Sequence, residues 1–465
     1  MLTLPLTREL VLDRPLADCF RYLADFSTTE QWDPGVFEAD KTTPGAPEPG
    51  SAFALRLNVL GRSVPAQYRL VARDENRRLV LHGEGPGFNV VDTLDFEARG
   101  QARTRLRYQA VMRWDAVPAR VAPLLKPWAE RLGDQAMTGL VRALVEDGPE
   151  QLPKRERLAQ KLVVPGMVAF TRRGWRTQHS RGLSRRLDGR TVAITGVTAG
   201  LGLAAAQELA RLGARLILIG RDADRLAAAQ QTIRDFAGPC ELLPYEAELS
   251  SLADTQRLAE RLLAEQPELD VLINNAGALF AERGATAEGH ERTLAINLLS
   301  PALLTKRLEP LLARRRGRVI NVVSGGLYLQ GLVLDDLDYQ RGPFDGAKAY
   351  ARAKRGLLAL TRLWADDEPR IAWHAMHPGW AATPGVARSL PDFDRRMQPF
   401  LRTPRQGADT MIWLASHPAV GVGSADSSGF WFDRAQRPDA LLPGTAVDTP
   451  TAMSLEAEVR LRGGW

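Results

Sequence analysis

The stretch Thr195-Gly196-Val197-Thr198-Ala199-Gly200-Leu201-Gly202 constrains this chain more than any other. It follows the apolar run Thr191-Val192-Ala193-Ile194 and opens a helical pattern over residues 203–212. A strand that feeds a helix through a glycine-rich turn is suited to phosphate. The glycines let the backbone turn sharply and approach a pyrophosphate, and the free N–H groups and positive dipole end of the helix face its charge. Alone, such a turn is a weak signal, so the rest of the chain has to agree with it. From residue 188 onward it does. Short apolar strands at 191–195, 215–220, 240–247, 270–276, 317–324, 371–377 and 429–433 alternate with helical patterns. That alternation predicts an α/β fold, a doubly wound parallel sheet covered on both faces. Ligands of such sheets sit at the carboxyl ends of the strands. The chemistry is therefore expected near Thr195, Gly220, Asn274, Ser324 and His377.

Residues 1–148 read differently. A strand at 4–12 is followed by a short amphipathic helix at 15–26, with Leu16, Phe20 and Leu23 on one face. Strand patterns then run at 51–60, 64–73, 78–83, 89–98 and 102–114, many with period-two alternation, and one long helix spans 121–146. This α+β order, with the phrase Ala24-Asp25-Phe26 through Gln31-Trp32-Asp33-Pro34-Gly35, resembles the helix-grip fold of the START-like group, which includes polyketide cyclases and lipid carriers. The resemblance implies a curved sheet and a long helix around an apolar interior. Two readings stay open: a pocket for a hydrophobic ligand, or a filled interior that serves for docking. Asp33 and Arg107 are candidate polar groups of that interior, although solvent-facing positions are expected for both.

A length of 465 residues suits two domains. With 45% hydrophobic and 25% charged residues the composition is globular. No apolar run reaches the roughly 18 residues of a membrane span. No basic-then-apolar leader opens the chain, so a cytoplasmic location is expected. Cys19 and Cys240 lie far apart and the six histidines lack metal-ligand spacing, so neither a disulfide framework nor a metal site is expected. The net charge is +6, and residues 151–190 alone carry eleven Lys or Arg against Glu156 and Asp188, a local +9. This basic linker, 149–187, contains the apolar stretch 162–170, then Arg172, Arg173, Trp175, Arg176, Arg181, Arg185 and Arg186. It reads as a connector that packs one greasy stretch on a neighbouring domain, or as a peripheral contact with an anionic membrane; the connector is the simpler. Nucleic-acid binding is not expected, because no recognition module accompanies the charge.

Tyr350-Ala351-Arg352-Ala353-Lys354 starts a helix, and residues four apart share a face. Tyr350 and Lys354 can thus point into one cleft. A nearby ammonium favours the phenolate and makes tyrosine usable as an acid or base closer to neutrality. Ser324 closes the strand 317–324, where its hydroxyl could hold a substrate oxygen or merely cap a strand end. Asn274-Asn275-Ala276-Gly277 closes the preceding strand. Asn297 lies in a helix interior, a poor place for asparagine unless it has a buried hydrogen-bonding role.

The set Thr195-Gly196-x-x-x-Gly200-x-Gly202, Asn274-Asn275-Ala276-Gly277, Asn297, Ser324, Tyr350-x-x-x-Lys354 and Pro378-Gly379 resembles the short-chain dehydrogenase/reductases. The resemblance spans about 270 residues, and finer phrases such as Met376-His377-Pro378-Gly379-Trp380 and Gln406-Gly407-Ala408-Asp409-Thr410 resemble the branch near the retinol dehydrogenases. It implies that Tyr350 is the proton donor in carbonyl reduction and that Lys354 lowers its pKa and holds the nicotinamide ribose. It implies further that Ser324 positions the substrate oxygen and Asn297 keeps a water linked to Lys354. The cofactor would lie along Thr195, Gly196, Thr198, Gly200, Leu201, Gly202, Glu248, Leu249, Asn274, Asn275, Ala276, Gly277, Tyr350, Lys354, Pro378, Gly379 and Thr383. Arg221, at the end of the second strand, points to the extra phosphate of NADP, while Asp222 leaves NAD open. Leu327, Tyr328 and Trp380 are candidate apolar substrate contacts, and each could equally be ordinary packing. Two departures stand out: Glu248 replaces the family's usual aspartate, and the wide gap between Ser324 and Tyr350 predicts an extra flap over 327–346.

These readings predict an NADP-dependent oxidoreductase that interconverts an apolar carbonyl and its alcohol, with a first domain that binds a hydrophobic ligand. Family relatives are often oligomers, so a homo-oligomer is expected unless the extra domain blocks those faces. The competing reading is a lipid- or polyketide-binding protein whose dehydrogenase half is an idle, cofactor-sensing scaffold. A third reading, a cyclase or aromatase in the first domain, lacks a paired acid and base at convincing spacing.

Overall fold

A computed structural model of the chain describes residues 2–59, 62–115, 118, 122–145, 169–176 and 185–465. The chain divides into two compact units. One is Met1–Gly148 with Gln178–Leu183; the other is Pro149–Thr177 with Ser184–Trp465.

In the first unit the strands β1 (Leu2–Leu12), β2 (Val36–Lys41), β3 (Ala52–Val59), β4 (Arg62–Asp74), β5 (Arg78–Gly85), β6 (Phe88–Ala98) and β7 (Thr104–Trp114) form one antiparallel sheet, in the order β1-β7-β6-β5-β4-β3-β2. Two short helices, α1 (Leu16–Ala24) and α2 (Thr29–Trp32), follow β1, and a long helix, α3 (Ala122–Val145), ends the unit. Period-two alternation puts Leu81, Leu94 and Leu106 on one face of the sheet, where Phe20, Trp32 and Leu140 from the helices meet them in one core. This is the expected helix-grip arrangement. The strand β2 was not expected. It is a short edge strand carrying Glu38, Asp40 and Lys41, and charge on an edge erases the apolar alternation while guarding against edge pairing.

In the second unit, β8 (Thr191–Thr195), β9 (Arg215–Gly220), β10 (Leu242–Glu246), β11 (Val271–Asn274), β12 (Arg318–Val322), β13 (Ala372–Met376) and β14 (Ser428–Phe432) run parallel in the order β10-β9-β8-β11-β12-β13-β14, and β15 (Ala435–Gln436) adds an antiparallel edge. The order reverses between β9-β8 and β8-β11, which opens a crevice at the carboxyl end of β8. All seven expected strands are present, each within two residues of its predicted start and three of its predicted end. The C-terminal helix at Thr449–Gly463 is an addition. It buries Ala452, Leu455 and Val459, but Met453 and Leu461 face outward and blur its periodicity.

Part of the linker packs on the second unit. Residues 169–176, including a helical turn Arg172–Arg176 with Trp175 buried, belong to the second unit. Most of the apolar stretch 162–170, and Arg181, lie outside the described residues. Among the described residues no helix is long and apolar enough to cross a membrane, and no group of His, Cys, Asp or Glu could hold a metal ion.

Candidate active site

The glycine turn has the backbone its sequence demands: Gly196 and Gly200 adopt φ of 72° and 58°, a region that favours glycine. The helix Gly200–Arg211 then starts at Ala199 with no side-chain cap, so its leading N–H groups are left for an external acceptor. A diphosphate fits that end. The turn is pinned from the side. The Thr195 hydroxyl oxygen accepts the N–H groups of Asn275 (3.0 Å) and Ala276 (2.9 Å), and the Asn275 amide donates to the carbonyls of Thr195 (2.9 Å) and Gly196 (3.3 Å). Thr195 and Asn275 therefore join two turns of the crevice. Asn274 departs from expectation. Its amide donates to Thr305 Oγ1 and Asn321 Oδ1, both at 2.8 Å, so it turns into the core and supports the strand end from behind.

The rest of the expected cofactor set borders the same crevice. The Thr198 methyl lies 3.2 Å from where a Cβ on Gly220 would stand, and Leu201 packs at Gly407. Thr383 caps the helix Pro384–Ser389 by accepting the Val386 N–H, and its methyl sits 3.2 Å from a Cβ position on Gly200. Arg221 faces Glu248 at 3.5 Å. Glu248 also accepts the Ser250 N–H and hydroxyl, both at 2.9 Å, which closes its own turn. Asp222 caps the helix Ala223–Ala237 through the Arg225 N–H (2.9 Å). Leu249 is buried, and its carbonyl accepts the Ser300 hydroxyl.

Tyr350 and Lys354 stand one turn apart in the helix Gly346–Asp367, opened by Asp345 as N-cap. Lys354, 2% exposed, donates from Nζ to the Val322 carbonyl (2.8 Å), two residues before Ser324. Its ammonium lies 5.7 Å from the Tyr350 ring centroid. Asn297 occupies a π-helical turn, Ala295–Leu299, a distortion that often marks functional sites. Its amide nitrogen donates to the carbonyls of Ala278 (2.7 Å) and Thr293 (2.8 Å), while its buried Oδ1 has no partner. That oxygen and Lys354 Nζ converge on Gly277: a Cβ there would stand 2.7 Å from one and 3.3 Å from the other. Ser324 Oγ and the Ala351 methyl converge in the same way on Gly326, at 3.6 and 3.9 Å. Lys354 thus meets Asn297 at Gly277 and lies one helical turn from Tyr350, while Ser324 stands two residues beyond the carbonyl that Lys354 holds. Burial pushes Tyr350 up to about 12 and Lys354 down to about 7. Desolvation outweighs attraction when the ammonium is not in contact with the phenol.

Comparison with known proteins agrees with this geometry. Residues 190–392 match the family described as short chain dehydrogenase, and residues 4–145 match the family described as polyketide cyclase / dehydrase and lipid transport. The human protein named dehydrogenase/reductase SDR family member 12 is 38% identical over 270 residues, which cover 58% of this chain and 84% of that protein. The chain belongs to the short-chain dehydrogenase/reductase family. Mouse retinol dehydrogenase 14 is 35% identical over 291 residues, covering 58% of this chain and 84% of that protein. Among solved structures, the Pseudomonas aeruginosa RhlG/NADP active-site complex is 26% identical, covers 52% of this chain and 94% of that chain, and has a TM-score of 0.42. The chain is accordingly an oxidoreductase of CH–OH groups that uses a nicotinamide dinucleotide, with a START-like domain at its N-terminal end.

On the substrate side of this dehydrogenase two of the candidate contacts follow the packing alternative. Leu327 is fully buried in the core, and the Tyr328 hydroxyl donates to the Pro438 carbonyl (3.0 Å). Both are packing residues, because the chain turns inward directly after Ser324. The expected flap, 327–346, instead braces the helices that carry the site: Arg352 stacks over the Tyr339 ring (4.6 Å), and Asp338 accepts the Glu291 N–H (3.0 Å). Trp380 remains half-buried, against Phe170 (5.8 Å) and Phe393 (5.4 Å). Phe170 was missed, since the linker gave no motif to mark it.

The START-like unit holds a correction of its own. Arg107 faces solvent as expected, beside Glu9. Asp33 is half-buried instead: desolvation pushes its carboxyl up to about 6, and it accepts the Gly35 N–H (2.7 Å). The reason is tertiary. Gly139 lets α3 close directly onto the carbonyl of Trp32, which tucks the following turn beneath the helix. Asp92, on central strand β6 and 2% exposed, accepts the Tyr108 hydroxyl (2.8 Å) and is pushed up to about 7 by burial. Tyr68 is buried in the field of both carboxylates. An acid and phenol pair therefore exists here, on two different strands.

Proposed function

We propose that the protein reduces apolar carbonyls to alcohols, and reverses the step, with NADP as the preferred cofactor, while its START-like unit holds a hydrophobic ligand. The observation that carries the first part is the meeting of Asn297 Oδ1 and Lys354 Nζ at Gly277, with Tyr350 one helical turn before Lys354 and Ser324 two residues beyond the carbonyl that Lys354 holds. Bound nicotinamide supplies or accepts the hydride. The Ser324 hydroxyl orients the substrate oxygen, and the Tyr350 hydroxyl gives that oxygen its proton. Lys354 and the unpartnered Asn297 Oδ1 hold the donors that replace it. Neutral hydroxyls at the substrate side suit an uncharged carbonyl.

Two features support NADP over NAD. Arg221, with 59% of its side chain exposed, has a loose 3.5 Å ion pair and can turn to a phosphate. Asp222, the acid that would take ribose hydroxyls, is already used as a helix cap. The apolar substrate class is supported by the retinol named for one relative and by the aromatic surroundings of Trp380. For the START-like unit the support is the lipid-transport family match and an interior that keeps carboxyl and phenol groups among apolar side chains.

The test is the Tyr350→Phe variant. Turnover of apolar aldehydes should fall about 10²–10⁴-fold, with NADPH fluorescence titrations unchanged; retained turnover refutes the role. Replacing Arg221 with Glu should raise the Kd for NADPH roughly tenfold or more while sparing NADH, from loss of a charge-assisted contact.

A further inference from the structure

Residues 169–176 lie outside both family matches, yet they are anchored at the mouth of the dehydrogenase site. The anchor is Arg402, 1% exposed, whose guanidinium donates to both carboxylate oxygens of Asp433 (2.6 and 2.9 Å). Its remaining donors go to the carbonyls of Ala169 (2.7 Å) and Phe170 (3.1 Å). The Phe170 carbonyl also accepts the Trp380 N–H (2.8 Å), and the Arg402 N–H donates to the Trp380 carbonyl (2.7 Å). Gly379 makes this approach feasible. It has φ of 72°, and a Cβ there would come within 2.7 Å of both Arg402 Nε and the Phe170 carbonyl. A buried, bidentate guanidinium is a stiff support, so the position of Phe170 is fixed against the loop that follows β13.

Its ring is fixed as well. It meets His377 edge-on (4.8 Å), Phe432 (5.3 Å) and Trp380 (5.8 Å). On another side it lies 2.8 Å from where a Cβ on Gly325 would stand, the residue next to Ser324. Burial and the charges of Arg402 and Arg437 hold the His377 pKa well below its usual value, so the rings that meet Phe170 are uncharged. The ring is only half-buried, and a rigid, partly accessible aromatic face beside the substrate hydroxyl is what a pocket wall requires.

We infer that Phe170, supplied by the segment between the two domains, forms one wall of the substrate site next to Ser324 and limits the size of the apolar substrate. The inference rests on the carbonyl–alcohol reading for the site's chemistry. Phe170 touches no group of the catalytic set, so its effect is on which substrate fits.

The experiment uses the full chain. NADPH-dependent reduction of benzaldehyde and of the bulkier 9-anthraldehyde is compared in wild type, Phe170→Ala and Phe170→Trp. The ratio of kcat/KM, large over small substrate, should rise roughly tenfold or more in the alanine variant and fall in the tryptophan variant, the scale of discrimination by apolar pocket size. NADPH affinity should not change, which separates a wall from a folding defect. A second measurement does not depend on turnover. In a Cys240→Ser background, Phe170→Cys is alkylated with N-ethylmaleimide in the presence of NADP, with and without an aromatic alcohol. Protection by the alcohol supports the wall even if wild type reduces neither aldehyde, an outcome that would count against the carbonyl reading alone. Absence of protection, or a selectivity ratio that neither variant moves in an enzyme that turns over both aldehydes, overturns the inference and leaves the carbonyl reading standing.

Discussion

Lys354 in the dehydrogenase unit and Asp92 in the START-like unit are both buried ionisable groups moved to a pKa of about 7, one from above and one from below. Their surroundings differ. Lys354 is tied to a strand-end carbonyl and shares a helix face with Tyr350, one turn before it. Asp92 has a phenol from a neighbouring strand as its hydrogen-bond partner, and its companions Asp33 and Tyr68 come from two further places in the sequence. A third buried group, Asp433, differs again, because a fully engaged guanidinium compensates its charge. The lesson is that burial alone does not say what a charge is for. What matters is whether the fold supplies its partner, or leaves the carboxyl without an opposite charge.

That contrast can be broken most forcefully at Asp433. In Asp433→Asn the Arg402 charge stays buried without its counter-ion, which should destabilise the dehydrogenase unit by roughly 3–5 kcal/mol. Chemical denaturation followed by hydrogen exchange in each unit would measure it, and a loss below about 1 kcal/mol would mean that the pair is already solvated. The next effect is one of pH, with opposite signs in the two units. Between about pH 7 and 10.5 the unfolded chain binds a proton at Lys354 that the folded unit does not. The dehydrogenase unit should therefore gain stability as pH rises through that window. Between about pH 4 and 7 the folded START-like unit holds a proton at Asp92 that the unfolded chain has released, so that unit should lose stability as pH rises. Unit-resolved melting at pH 5, 7 and 9 should show the two slopes, and Lys354→Met and Asp92→Asn should each flatten one of them. The smallest effect sharpens the comparison. At pH 8 Asp92→Asn should raise the stability of the START-like unit by roughly 1 kcal/mol, a shift of a few degrees in Tm, and at pH 4 the gain should vanish. Loss of stability at pH 8 would show that the Asp92 charge has a partner after all.

Legibility in the sequence followed the same division. The placement of Tyr350, Lys354 and Asn297 was legible because helix geometry converts spacing directly into a shared face or an odd interior polar residue. The strands of the parallel sheet were found because burial on both faces leaves an apolar run. Asp33 was placed outside because a Trp-Asp-Pro-Gly turn looks solvated until a helix with glycine at residue 139 closes over it. Asp92 was passed over because one carboxylate in an alternating strand gives no sign of which face it takes or what stands on β7 beside it. Leu327 and Tyr328 were assigned to the pocket by their nearness to Ser324 in sequence, and the inward turn of the chain removed them. Phe170 lies 154 residues from Ser324, and contacts with Arg402, Trp380, His377 and Phe432, all distant in sequence, bring it there.

The sequence by itself determined the two architectures, the crevice at the end of β8 and the spacing of the proposed catalytic set, because all of these depend on periodicities of two to four residues and on glycine where a helix begins. The tertiary structure alone decided which carboxyls are drawn into the START-like unit, which aromatic rings lie beside the Ser324 strand end, and how far Lys354 is desolvated. Those depend on desolvation and on contacts between distant segments, and neither has a period along the chain.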